Sequence, residues 1–150
     1  MQNLVTRLGV SISLACLLAA CEPVFMLPGG ALSGTVTAAP DDWSFTNTID
    51  TVQIETRPSD PYSVNIWLIS LNEAIYIHAG ANRATWVEHL ESDGTINVRV
   101  GEMIYPLHAT RVTEQSEFDQ FSDAYEQKYD RRPRNENVTE AYLFRLQVSS

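Results

Sequence analysis

His78 is followed by Ala79-Gly80-Ala81 and then by Asn82-Arg83, with Trp86 close behind. An imidazole at the end of an apolar run, leading through small residues into a helix start, describes a pocket rim. Helix amides and a guanidinium there favour an anion. Upstream, Arg57-Pro58-Ser59-Asp60-Pro61 sets a second guanidinium and a hydroxyl in a turn. A planar guanidinium grips phosphate bidentately, so Arg57 and Arg83 together could offset the negative charge of Asp60. Arg57, His78, Asn82, Arg83 and Trp86 thus outline a site for a small anion or a phosphate-bearing cofactor. The same residues also have a purely structural reading, in which Asn82 caps a helix, Arg83 is solvated and Trp86 fills the core.

Other chemistries find less support. His78, His89 and His108 fit no metal-ligand spacing and belong to different elements. No Gly-x-Ser-x-Gly elbow occurs. Lys128 is the only lysine, which argues against Schiff-base catalysis. Asp41-Asp42 lies in a Pro/Gly-rich stretch where solvated carboxylates are the simpler reading.

The elements that must hold these groups are legible as alternating patterns. A β-branched run from Ile49 to Thr56 ends at the turn cluster Arg57–Pro61. Tyr62 to Leu71 carries apolar residues on both faces, which predicts a strand buried on both sides. Asn72-Glu73 turns into Ala74 to Ala79, predicting a hairpin. Asn82 is the expected cap of a helix with Trp86, Val87 and Leu90 on one face. Asp93-Gly94 ends it and opens a strand alternating Ile96, Val98 and Val100 with Asn97 and Arg99. Gly101-Glu102 turns into a strand from Met103 to Val112. A second helix from about Glu114 to Tyr129 aligns Phe118, Phe121, Tyr125 and Tyr129, with the arginine run at 131–134 expected to cap its C-terminal end. Ala141 to Val148 is a last strand. The order β-β-β-α-β-β-α-β, with hairpin-length links, predicts a six-stranded antiparallel, partly open barrel with two helices, a mainly β, α+β fold.

Charge and the N-terminus bound where such a domain works. The formal charge of −9 leaves no electrostatic footprint for nucleic acid. Arg7 and the terminal amine precede an apolar run from Leu8 to Leu18, then Ala19, Ala20 and Cys21. That is the layout of an export signal, and at about 11 residues the apolar run is too short to span a bilayer. Residues 22–42, with Pro23, Pro28, Gly29, Gly30, Gly34 and Pro40, read as a tether, although Val24-Phe25-Met26-Leu27 is apolar enough to dock on the domain. Cys16 and Cys21 are the only cysteines, so after removal of the signal and acylation of Cys21 the expected domain has no disulfide.

Two resemblances follow from these residues. Leu18-Ala19-Ala20-Cys21 resembles the bacterial lipobox. It implies a signal peptide at 1–20, a lipidated (palmitate-type) tether at 21–42 and a domain at 43–150 in the cell envelope. The absence of aspartate after Cys21 implies the periplasmic face of the outer membrane, with the lipid as the membrane contact. Second, the segments Ile54–Trp67, Asn82–Leu90 and Thr95–Gly101 resemble the split β-barrel superfamily of pyridoxamine-phosphate oxidases and flavin reductases, nearest the deazaflavin-dependent nitroreductases and a related domain group of unknown function. The resemblance implies a homodimer, with Trp67 and Tyr105 at the seam. In cofactor-binding members it would assign Arg57, Ser59 and Arg83 to a cofactor phosphate, Asn65 and Trp67 to the ring of FMN or a deazaflavin, and His78 or Tyr76 to the substrate side. Pro58 and Asp60 depart from the basic pattern of that turn. A Sec-type signal without paired arginines would also require the cofactor to be loaded outside the cytoplasm.

On these grounds the sequence is read first as a lipid-anchored, non-catalytic binding or accessory module of the cell envelope with no resident cofactor; a separate reading has the Phe118/Phe121/Tyr125 face or the tether dock an unidentified envelope protein. The alternative is a flavin- or deazaflavin-dependent oxidoreductase.

Overall fold

The computed structural model describes residues 29–80 and 83–149, so the export signal, Cys21 and Asn82 lie outside the described residues. The strands are β1 Thr35–Val36, β2 Thr51–Thr56, β3 Tyr62–Leu71, β4 Ala74–Ala79, β5 Thr95–Val100, β6 Met103–Arg111 and β7 Tyr142–Gln147. The helices are α1 Thr85–Ser92 and α2 Gln115–Tyr129.

Two long strands make the barrel. β3 pairs with β2 along Tyr62–Trp67 and with β4 along Leu68–Leu71. β6 pairs with β5 along Met103–His108 and with β7 along His108–Arg111. One half-sheet is therefore β6-β5-β2-β3 and the other β3-β4-β7-β6, closing a six-stranded antiparallel barrel. β1 adds outside it, parallel to β6 at Met103–Ile104. Asn72 and Glu73 have φ of 50° and 63°, the left-handed pair that a two-residue hairpin turn requires.

Period-two alternation explains the core. Ile54, Leu68, Ile77, Val98 and Leu146 point inward and are fully buried, joined by Trp86, Val87 and Leu90 from α1. Outside the second half-sheet, Phe118 and Phe121 of α2 cover Ile69, Tyr76 and Leu143. β3 is thus buried on both faces because the barrel fills one side and α2 the other.

α2 also completes β3 where β2 has ended. The Tyr129 hydroxyl accepts the Leu68 N–H at 3.1 Å. Lys128 Nζ donates to the carbonyls of Leu68, Ile49 and Thr46 at 2.7, 2.8 and 3.0 Å. The only lysine is thereby committed to three backbone oxygens, each a stronger charge-assisted bond.

Five expectations need correction. β2 begins at Thr51 because Ile49 ends a 3₁₀ turn at Ser44–Thr48. α1 begins at Thr85 with Ala84 at its cap position, so the cap is not Asn82. Tyr105 faces inward, its ring 5.0 Å from Trp43, and is not available to a seam. The arginine run does not cap α2, which ends on left-handed Asp130. Of that run, Arg132 turns back to Glu126 and Asp123 side chains, and Arg131 lies over Trp67.

The fifth concerns the Pro/Gly-rich stretch, which has regular pairing within it. Gly29 and Ser63 exchange backbone hydrogen bonds. The Leu32 N–H donates to Glu55 Oε2 at 2.6 Å, Arg99 donates to the Ser33 carbonyl at 3.0 Å, and Thr35–Val36 forms β1. Residues 29–36 therefore cross the outer face from β3 over β2 and β5 to β6. Gly34 permits this, because a Cβ there would stand 2.6 Å from the Glu102 carbonyl oxygen.

Candidate functional site

β3 and β4 part company at the Leu68–Ile77 pair, leaving Trp67 and His78 on either side of a wedge. In β4, Ile75, Ile77 and Ala79 go inside the barrel, so Tyr76 and His78 must point out beneath α2. α2 presents Phe121 and Tyr125 one turn apart over that wedge. The result is a cavity of about 220 Å³ lined by Asn65, Ile66, Trp67, Ile69, His78, Phe121 and Tyr125. It opens into a hollow of about 450 Å³ bordered by Gly80 and Arg131–Asn135, with Trp67, His78 and Tyr125 common to both.

The cleft is aromatic within and cationic at its mouth. The His78 ring lies 5.6 Å from Phe121 and 6.2 Å from Tyr125. Trp67 stacks on Tyr129 at 4.4 Å, and the Arg131 guanidinium sits 5.5 Å from the Trp67 ring centre. His78 Nε2 is buried without a hydrogen-bond partner among the described residues. Burial pushes the imidazole down to about 4, so it is neutral at pH 7 and its Nε2 can take or give one hydrogen bond. Burial also raises the Tyr125 phenol, keeping it protonated. Among the described residues, neither Arg131 nor Arg134 pairs with a carboxylate, whereas Arg132 is held by Asp123 and Glu126.

A polar network anchors the N-terminal half of α2. Glu117 Oε1 accepts from the Tyr76 hydroxyl at 2.9 Å and from Arg145 at 2.7 Å. Together with Lys128 at the other end, it fixes the helix that walls the cleft.

The residues singled out from sequence divide between two places. Asn65, Trp67 and His78 meet in the cleft. Arg57 has φ of 53° and pairs with Asp60 at 2.9 Å, beside exposed Ser59. Arg83 pairs with Glu91 and Glu88 of α1. Trp86 is buried, edge-on to Phe144 at 5.9 Å. Arg57, Ser59, Arg83 and Trp86 line neither the cavity nor its mouth. The histidines are likewise dispersed: His89 Nδ1 is 2.8 Å from Thr56 Oγ1, and His108 packs at Gly94. Sequence reasoning missed Phe121, Tyr125, Arg131 and Arg134 as one lining. The aromatic spacing on α2 was visible, but that its end abuts Trp67 is a tertiary fact.

No protein-family model and no curated protein matches the sequence. Solved structures do. A protein from Bacteroides thetaiotaomicron assigned to 5-nitroimidazole antibiotic resistance superposes with a TM-score of 0.56 at 13% identity, over 71% of this chain and 77% of its own. A protein from Listeria innocua assigned as a pyridoxamine 5′-phosphate oxidase gives 0.56 at 7% identity, over 71% and 90%. A conserved protein of Mycobacterium tuberculosis gives 0.57 at 14% identity, over 76% and 86%. Such identities speak to architecture alone, and that architecture agrees with the barrel traced above: this chain has the split β-barrel fold that those structures share.

Proposed function

We propose that the protein is an oxidoreductase of the split-barrel type that holds a flavin-type cofactor in the cleft between β3, β4 and α2. The observation that carries this reading is an aromatic cavity lined by Trp67, His78 and Tyr125, beside a hollow bordered by Arg131 and Arg134, which have no carboxylate partner among the described residues. A flat heteroaromatic ring with polar edges and a phosphate tail fits that donor set. Trp67 and Tyr125 offer ring faces. Asn65 and neutral His78 offer hydrogen bonds to ring edges. Arg131 and Arg134 offer charge to phosphate. Ile66, Ile69 and Phe121 keep the inner end dry, which strengthens each of those polar contacts. When bound, a flavin would supply the hydride or electron transfer, and the protein positions it. The likeness to folds assigned as pyridoxamine 5′-phosphate oxidase and nitroimidazole resistance proteins supports this reading over a non-catalytic accessory module.

Titration of the protein with FMN and with a deazaflavin, followed by flavin fluorescence, tests the assignment. Saturable binding is expected, weakened about 5- to 10-fold in His78→Ala, the size of one buried hydrogen bond. No binding of either compound at tens of micromolar would overturn it. We further propose, from the apolar run ending at Leu18-Ala19-Ala20-Cys21, that the domain is tethered by lipid on Cys21 in a bacterial envelope. Cys21→Ser should then move the protein from the membrane fraction to the soluble fraction.

A further inference from the structure

The cavity between β3, β4 and α2 touches three consecutive residues of β3, Asn65, Ile66 and Trp67. Side chains of consecutive strand residues point to opposite faces, and Ile66 packs inside the barrel. A cavity that reaches all three must therefore run along the edge of the strand. β2 occupies one edge at these residues, so the cavity lies along the other.

Backbone alternation says which groups that edge presents. Gly29, at the head of the strap formed by residues 29–36, exchanges both backbone hydrogen bonds with Ser63, at 2.8 and 3.0 Å, on the edge opposite β2. In an antiparallel strand every second residue turns its N–H and C=O the same way, so those of Asn65 and Trp67 face the cavity edge. Leu68 turns oppositely. Its N–H and carbonyl meet Tyr129 and Lys128, which also hold the carbonyls of Asp50 and Ile49 just before β2. The β4 ladder begins only at Leu68, so among the described residues no strand pairs with Asn65 on this edge. The Asn65 carbonyl and the Trp67 N–H thus stand side by side as an acceptor and a donor.

We propose that this edge reads the –CO–NH– edge of a cyclic imide, a pyrimidinedione ring, in the manner of an added strand. The ring N–H donates to the Asn65 carbonyl, and a ring carbonyl beside it accepts from the Trp67 N–H. The ring occupies the rungs that β4 leaves empty, with Ile66 on its barrel side and Phe121 and Tyr125 on its α2 side. Flavins and deazaflavins both carry this edge. The inference rests on the reading of the cleft as a flavin-type site and adds what selects the ring, an unsubstituted imide nitrogen.

FMN and its N3-methyl derivative are compared on the full chain by flavin fluorescence. Methylation removes the donor and sets a methyl group against the Asn65 carbonyl, so binding should weaken at least about 10-fold. Equal affinities would overturn the proposal and leave the cofactor reading standing. Lumazine, a pteridinedione with the same edge and neither sugar nor phosphate, tests the edge separately. At millimolar concentration it should shift the Trp67 amide resonance in a nuclear magnetic resonance titration, and its N3-methyl derivative should not. An unmoved Trp67 amide, or equal shifts from both compounds, would overturn the proposal. Failure of FMN to bind while lumazine moves the Trp67 amide counts against the cofactor reading alone.

Discussion

The two α-helices among the described residues each stand beside a pair of arginines, and the pairs have opposite fates. Near α1, Arg57 is matched by Asp60 and Arg83 by Glu88 and Glu91. Beyond α2, Arg131 and Arg134 have no carboxylate partner among the described residues; Arg131 lies over the Trp67 ring, and both border the hollow beside the cavity. In an acidic chain with formal charge −9, a guanidinium left over is the less common outcome. The comparison teaches that availability, not the presence of arginine in a turn or at a helix start, marks where an anion can bind. An exposed ion pair contributes little to stability, yet it neutralises the charge a ligand would need.

That contrast can be broken in graded ways. The wall of the α2 cleft depends first on Phe121, which is 1% exposed. Phe121→Ala should cost about 3–5 kcal/mol in denaturant unfolding, by lost transfer energy plus a cavity. Next is the pH dependence of His78, whose folded value of about 4 lies below the usual imidazole value of 6.5. The unfolded chain binds the proton more readily, so the contribution is complete above about 6.5 and is lost as pH falls through 4. The loss amounts to at most about 3 kcal/mol. Replacement by Gln should flatten the stability profile across that window, and an unchanged profile would deny the burial argument. The arginines come third. Arg131→Glu with Arg134→Glu should weaken FMN binding more than about 10-fold, while Arg57→Glu or Arg83→Glu should change it less than about twofold. Equal losses at both ends would erase the distinction between them. Smallest is Arg83→Ala, expected to leave the thermal unfolding midpoint essentially unchanged, because its ion pairs are solvent-exposed.

The strap face and the cleft face differ in a second way that bears on legibility. Across the strap, Glu55 accepts from Leu32 N–H and from the Asn97 amide, so its buried carboxylate is fully engaged. Nothing in a Pro/Gly-rich stretch announces that a glutamate on β2 will hold it, because Glu55 reads only as the outward residue of an alternating strand. In the cleft, by contrast, His78 could be singled out from its place at a strand end, and Asn65 and Trp67 from the family resemblance. Their companions on α2 could not.

The sequence by itself determined the elements and their inward faces, because period-two and helical alternation are local properties of the chain. The hairpin at Asn72-Glu73, the span of β3 and the apolar face of α2 all follow from that. It also determined that charge is acidic overall and that Lys128 is the only lysine. Only the tertiary structure decided which arginines remain unpaired, where Lys128 is anchored, and that β3 and β4 separate at Trp67 and His78 to admit a cleft. Each of these depends on which side chains the closing of a barrel brings within a few ångströms of one another. That proximity is set by strand register and by the docking of α2, not by neighbourhood in the chain.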